Sequence, residues 1–104
     1  MDDVLVPSSV SGFDVMIERI GRRAVIALFG DLDLATRHQV LDACRTGGGD
    51  DEVVVDLGGL EFMDCGGYSG IVEVRLEFPS AAVRNAVGQP AHLIEMIRVM
   101  ELAG

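Results

Sequence analysis

In Val53-Val54-Val55-Asp56-Leu57-Gly58-Gly59-Leu60-Glu61-Phe62-Met63-Asp64-Cys65-Gly66-Gly67-Tyr68 the chain passes from a β-branched run to a pair of Gly-Gly steps around an Asp-Cys. The β-branched opening of this stretch reads as a buried strand that stops abruptly and feeds a Gly-rich turn. An acid, Asp64, and a thiol, Cys65, then stand at the mouth of the next helix. Backbone N–H groups at a helix start lack intrahelical partners and carry partial positive charge. A small nucleophilic or phosphorylatable side chain at that point faces an anion-friendly spot.

Upstream of this stretch the pattern is that of paired strands. Phe13, Val15 and Ile17 alternate with Asp14, Met16 and Glu18, as in a half-exposed strand. Gly21 and Arg22 supply a tight turn into Ala24 to Phe29, a continuous apolar run that suits a strand covered on both faces and ended by Gly30. The two strands are expected to form a hairpin. A helix follows, with Val40, Leu41 and Cys44 on one side, Asp33 read as its N-cap, and an end at Thr46 before Gly47, Gly48 and Gly49. The third strand is read as Glu52 to Leu57.

Downstream, Val72 to Phe78 alternates as a strand would, yet Tyr68, Ile71, Val72, Val74 and Phe78 also make a broad helical stripe. Length favours the helix, because parallel neighbours need a crossover of about a dozen residues and Tyr68 to Phe78 is the segment available. Pro79 and Ser80 end it. Ala82 to Val87 reads as a weak fourth strand, and Gln89-Pro90 opens a last helix. That helix places Leu93, Ile94, Ile97 and Met100 on one side and Met96 and Val99 on another, too much apolar surface for a helix covered on one side only.

At 104 residues the chain forms one domain, large enough to bury about 60 to 70 per cent of its unfolded surface. The polar, Ser-rich residues 1–11 are expected to be a disordered tail, and 12–104 the domain. With aromatics at 5% and no Trp, the core must be aliphatic. The net charge of −9, from 17 acids against 8 bases that are all Arg, argues against nucleic acid and anionic membrane surfaces and for a protein partner with a basic face. No apolar run approaches the length of a membrane span, and the expected location is the cytoplasm.

Catalytic sets are thin. There is no phosphate-binding Gly-rich loop ending in Lys, and no His and Cys stand at metal-ligand spacing, so neither a metal nor a cofactor is expected. His38 and His92 sit among polar neighbours and are read as solvated. Cys65 is either a small side chain filling a turn or a thiol activated by the helix start, with Asp64 working against activation. Cys44 and Cys65 belong to opposite ends of a strand-helix-strand crossover, about 15 Å or more apart. A disulfide between them within one molecule is therefore not expected.

The order strand, strand, helix, strand, helix, strand, helix, with Gly30-Asp31-Leu32-Asp33, Val55-Asp56-Leu57, Leu60, Phe62, Met63-Asp64 and Gly67, resembles the STAS domain of bacterial anti-sigma-factor antagonists. The resemblance runs from about Phe13 to Gly104 and includes the closing Met100 to Gly104. It implies a single α/β domain with a mixed four-stranded sheet, the first two strands a hairpin, and about three helices. It also implies a non-enzymatic regulator that binds a serine-kinase anti-sigma factor and thereby releases a sigma factor.

In that family the kinase switches the antagonist off by phosphorylating the Ser or Thr directly after the Asp of the turn. The matching position here is Cys65, followed by Gly66 where a hydroxyl residue is usual, then Gly67, Tyr68 in place of Leu, and Ser69 in place of a small Gly. A thiol is a poor acceptor for such a kinase, so the resemblance implies an antagonist without the standard off switch, Ser69 being an unlikely substitute acceptor. The partner-facing surface implied comprises Asp31 and Asp33 in the loop after the second strand, with Asp64, Cys65, Gly66, Gly67, Tyr68 and Ser69. Redox control through Cys65 is an alternative, and a thiol enzyme or small-ligand carrier a less favoured one. Family members usually continue with another strand and helix. The last helix is accordingly expected to be under-covered, which would permit a homodimer through Met96 and Val99.

Overall fold

The computed structural model describes residues 12–48 and 52–103; the expected tail 1–11 lies outside the described residues. The hairpin forms as read: β1 (Phe13–Ile20) and β2 (Arg23–Leu32) pair antiparallel from Phe13 with Gly30 to Ile20 with Arg23. Gly21 closes the two-residue turn at a φ of 62°, a backbone region that such hairpins need and that Gly enters without strain. Next come α1 (His38–Gly47), β3 (Glu52–Met63), α2 (Cys65–Glu77), β4 (Ala82–Arg84) and α3 (Gly88–Ala103). The strand order is β1-β2-β3-β4, with β2, β3 and β4 parallel to one another. Segment 72–77 is helical, as the crossover length requires, with Phe78 its C-cap.

The third strand is twice as long as its pattern suggests. It does not stop at Leu57 but runs through Gly58 and Gly59 to Met63. Its register against β2 shifts twice, between Ala27 and Phe29 and between Gly30 and Asp31, each time with one extra residue on β3. Those bulges change the spacing of the buried side chains from Val53, Val55 and Leu57 to Leu60 and Met63. A strand that loses its period of two in this way no longer looks like one in sequence.

Val40, Ala43 and Cys44 of α1 and Ile71 and Val74 of α2 share one buried cluster with Ile26, Leu28 and Leu32 of β2 and Val55, Leu57 and Met63 of β3. Leu93 and Ile94 of α3 pack against the same cluster. Each fully buried aliphatic side chain of this kind contributes about 1.5–3 kcal/mol before chain entropy is subtracted. The core is aliphatic, with Phe13 its one fully buried aromatic ring.

Several boundaries and one face differ from expectation. β2 is not covered on both faces: Val25 and Ala27, which alternate with Ala24, Ile26 and Leu28, are only half-buried, and Phe29 is exposed. No helix of the described residues lies over that side; the run is continuous because a one-sided strand here uses aliphatic residues on its outer face as well. α1 ends at Gly47 rather than Thr46, with the Gly48 N–H closing the last turn onto the Cys44 carbonyl. β4 keeps only Ala82 to Arg84, because Asn85 leaves the strand conformation at a φ of 67°. α3 begins one residue early, at Gly88, and Met100 is exposed whereas Leu93 and Ile94 on the same side are half-buried.

Candidate functional site

The β2–α1 loop and the β3–α2 turn lie side by side because α2 begins almost in contact with the loop. A Cβ on Gly67 would fall on the Leu32 carbonyl oxygen, one on Gly66 would lie 2.9 Å from the Leu34 Cβ, and one on Gly70 would lie 2.9 Å from the Arg37 carbonyl oxygen. Only glycine at these helix positions allows that approach. The two segments are also joined through the backbone, the Asp64 N–H donating to the Leu32 carbonyl at 3.3 Å.

Each segment is fixed by an aspartate. Asp64 is the N-cap of α2, its Oδ1 accepting from the Gly67 N–H at 2.7 Å. Asp33 does not cap the regular part of α1, whose N-cap position is Arg37 with no side-chain cap bond. It caps the turn ahead of it, accepting at Oδ1 from the Ala35 and Thr36 N–H groups at 3.0 and 3.1 Å. Thr36 answers by accepting from the Asp33 N–H at 3.0 Å, a reciprocal capping box with Thr in the place usual for Glu or Gln. Thr36 is 5% exposed, and its hydroxyl also approaches the Asp31 carbonyl at 3.3 Å. The spacing Asp33-x-x-Thr36 is the sequence signal for this box.

Around this base the candidate residues take different surroundings. Cys65 is exposed at the first position of α2, and Asp31 is exposed near the end of β2. Asp33, Asp64 and Gly66 are half-buried and Gly67 is buried. Ser69 is half-buried, its hydroxyl donating to the Gly66 carbonyl at 2.5 Å and accepting from Arg37 Nη1 at 2.9 Å. Tyr68 points elsewhere: it packs against the core on the flank of α2 that faces α3. With about 3.6 residues per turn, Cys65, Ser69, Val72 and Leu76 form one outward ridge. Val72 is 40% and Leu76 77% exposed, and Leu34, beside Gly66, is 66% exposed.

Three further side chains hold the ridge in place, none visible in the local sequence. Arg37 Nη1 pairs with Glu73 at 3.4 Å, and Arg45 forks onto Glu77 with 2.7 and 2.6 Å bonds, so α1 is tied along α2. The hydrogen bond and charge of Arg45 hold the Glu77 carboxyl below its usual range. Gln89, in the first turn of α3, brackets Met63 with its side-chain amide, accepting from the Met63 N–H and donating to the Met63 carbonyl at 2.8 Å each. It continues the ladder that β4 leaves unpaired at the foot of the turn.

The two cysteines are both free, Cys44 buried and Cys65 exposed. Burial, aided by the Glu77 charge, pushes the Cys44 thiol up to about 11. His38 and His92 are exposed, and no group of three or more His, Cys, Asp or Glu among the described residues could hold a metal ion. No described helix is long and apolar enough to cross a membrane.

A one-sheet α/β domain with an antiparallel opening hairpin, a parallel remainder and a capped helix at the central strand defines a STAS-like fold. The family model described as Mlab, STAS domain, matches residues 15–104, and the chain belongs to the STAS domain family. Among solved structures, an antisigma-factor antagonist STAS domain from Rhodobacter sphaeroides is 25% identical at a TM-score of 0.57, over 69% of this chain and 83% of that one. The anti-sigma factor antagonist SpoIIAA in its unphosphorylated form shares the fold, with 20% identity and a TM-score of 0.55 over 85% of this chain and 82% of that one. No curated protein matches significantly. The chain is thus a STAS domain resembling anti-sigma-factor antagonists.

Proposed function

We propose that this protein is a non-enzymatic antagonist that docks a serine-kinase anti-sigma factor through Asp31, Asp33, Asp64 to Gly67, Ser69 and the outer ridge of α2, with Tyr68 turned away to the other flank, so that a sigma factor is released. The observation that carries the reading is the continuity of that ridge: exposed Leu34, Val72 and Leu76 flank Cys65 and lie next to the acidic rim. Apolar side chains ringed by carboxylates suit a partner whose contact face is apolar at its centre and basic at its edge. Calorimetry against the ATP-binding anti-sigma kinases of the same genome tests this, with micromolar binding to one of them expected. Absence of binding to all of them would sink it.

Cys65 stands where the family's phosphoacceptor stands, and its thiol is not a substrate for a serine kinase. Ser69 is a poor replacement, because its hydroxyl is already engaged by Arg37 and by the Gly66 carbonyl. Docking on this reading is not switched by serine phosphorylation. Redox control of the same surface is the second reading, favoured by the exposure of the free Cys65 thiol. Peroxide titration followed by intact mass separates them: a Cys65 that stays unmodified in the folded protein is a packing and docking residue only. The homodimer through Met96 and Val99 also stays a proposal, supported by the exposure of both side chains, and a monomer by light scattering would remove it.

A further inference from the structure

On the flank of α2 away from α1, a cleft of about 410 Å3 opens between α2, the β4–α3 connection and α3. Arg75, Arg84 and Arg98 line it, together with Tyr68, Asn85 and Glu101, over a floor that includes half-buried Val83 and Ile94. Three of the eight bases in a chain that carries 17 acids therefore converge on one cavity.

Three of the arginines outside the cleft are neutralised. Arg23, Arg37 and Arg45 each meet a glutamate at 3.4 Å or less. Arg75 has no carboxylate partner among the described residues, and Arg84 makes only a 3.5 Å donation to the Val83 carbonyl. Arg98 reaches Glu95 at 3.8 Å, with both side chains 67% exposed. Among the side chains lining the cleft, three guanidinium groups stand against one carboxylate, Glu101, with Glu95 of the Arg98 pair beside it, in a chain that carries −9 overall. At physiological ionic strength fields fade over about 8 Å, and a ligand inside the cleft is governed by the local charge.

The rim is also shaped. Asn85 holds a φ of 67°, a conformation uncommon for a residue with a side chain, at the point where β4 turns into the cleft wall. The Tyr68 phenol and the Asn85 amide add neutral hydrogen-bonding groups. A polar lining of this kind does not suit an apolar ligand, whereas planar guanidinium forks match phosphoryl oxygens in pairs. We propose that this cleft binds a small, multiply charged phosphate-bearing anion, with Arg75, Arg84 and Arg98 as its charged donors and Tyr68 and Asn85 completing the site. The site is separate from the docking ridge and does not depend on the partner reading.

Calorimetry of the whole protein with inorganic pyrophosphate, at fixed ionic strength, tests it. Saturable binding is expected, weakened about tenfold by Arg75→Gln or Arg84→Gln and tightened by Glu101→Gln. Arg22→Gln, in the β1–β2 turn, is expected to leave the affinity unchanged, and citrate to bind more weakly than pyrophosphate. Absence of binding at millimolar pyrophosphate would overturn the proposal, as would equal losses in Arg22→Gln and the cleft variants. Citrate binding as tightly as pyrophosphate would overturn the assignment to phosphate. Circular dichroism of each variant shows that the fold is retained, and these exposed side chains carry none of its core.

Discussion

The two flanks of α2 are built on opposite terms. Towards α1, glycines bring the backbones together, and Arg37 at the N-cap of α1 and Arg45 within it end on glutamates of α2. Towards α3 the same helix leaves Arg75 without a carboxylate and keeps a cavity beside Tyr68. The first flank holds Cys65 and the ridge at a fixed height over the β2–α1 loop. The second flank leaves charge available for a ligand. One helix thus separates the groups that position a surface from those that can still bind something.

The strongest way to break the closed flank is Gly67→Ala, which puts a methyl group onto the Leu32 carbonyl. We expect a loss of about 3 kcal/mol in urea unfolding, the upper part of the usual overpacking range, because the obstacle is backbone. Raising the pH comes next. Cys44 titrates at about 11 in the fold against an ordinary 9.0, so the stability it contributes is intact below 9.0 and is lost as pH rises towards 11. Thermal melts over that window should fall more steeply for the wild type than for Cys44→Ala. In the native protein at neutral pH, a thiol reagent should count Cys65 alone.

Smaller changes sharpen the contrast between the flanks. Arg37→Gln removes the bonds to Ser69 and Glu73 and is expected to cost about 1 kcal/mol, whereas Arg75→Gln should stay within about 0.5 kcal/mol of wild type. Equal losses by chemical denaturation would mean that Arg75 has a structural partner after all. The smallest effect belongs to Glu77. Its carboxyl is held below the ordinary 4.5 by Arg45, so its contribution is present above that value and fades as pH falls below it. Arg45→Gln should remove that acid-side slope and little else, because the pair is exposed and screened by solvent.

Much of the frame could be read from residues alone. Alternation at Phe13, Val15 and Ile17, the Gly21-Arg22 turn and the crossover length between Leu57 and Ala82 give the hairpin, the parallel strands and the helical state of 72–77. The second half of β3 was hidden because its bulges replace a period of two by a spacing of three, at Leu57, Leu60 and Met63. At the candidate site, Asp64 and Cys65 were legible because capping is local chemistry. Arg37 to Glu73 and Gln89 to Met63 were not, since those partners lie 36 and 26 positions apart, nor was the cleft around Arg75, whose lining comes from three different elements that meet only when the sheet forms.

The central claim is a docking surface in which Cys65 replaces the phosphoacceptor. It is tested most directly by phosphotransfer from ATP with a candidate anti-sigma kinase, comparing the wild type with Cys65→Ser. Label is expected on Cys65→Ser and none on the wild type, with both proteins binding the kinase. Label on the wild type, at Ser69 or elsewhere, would contradict it.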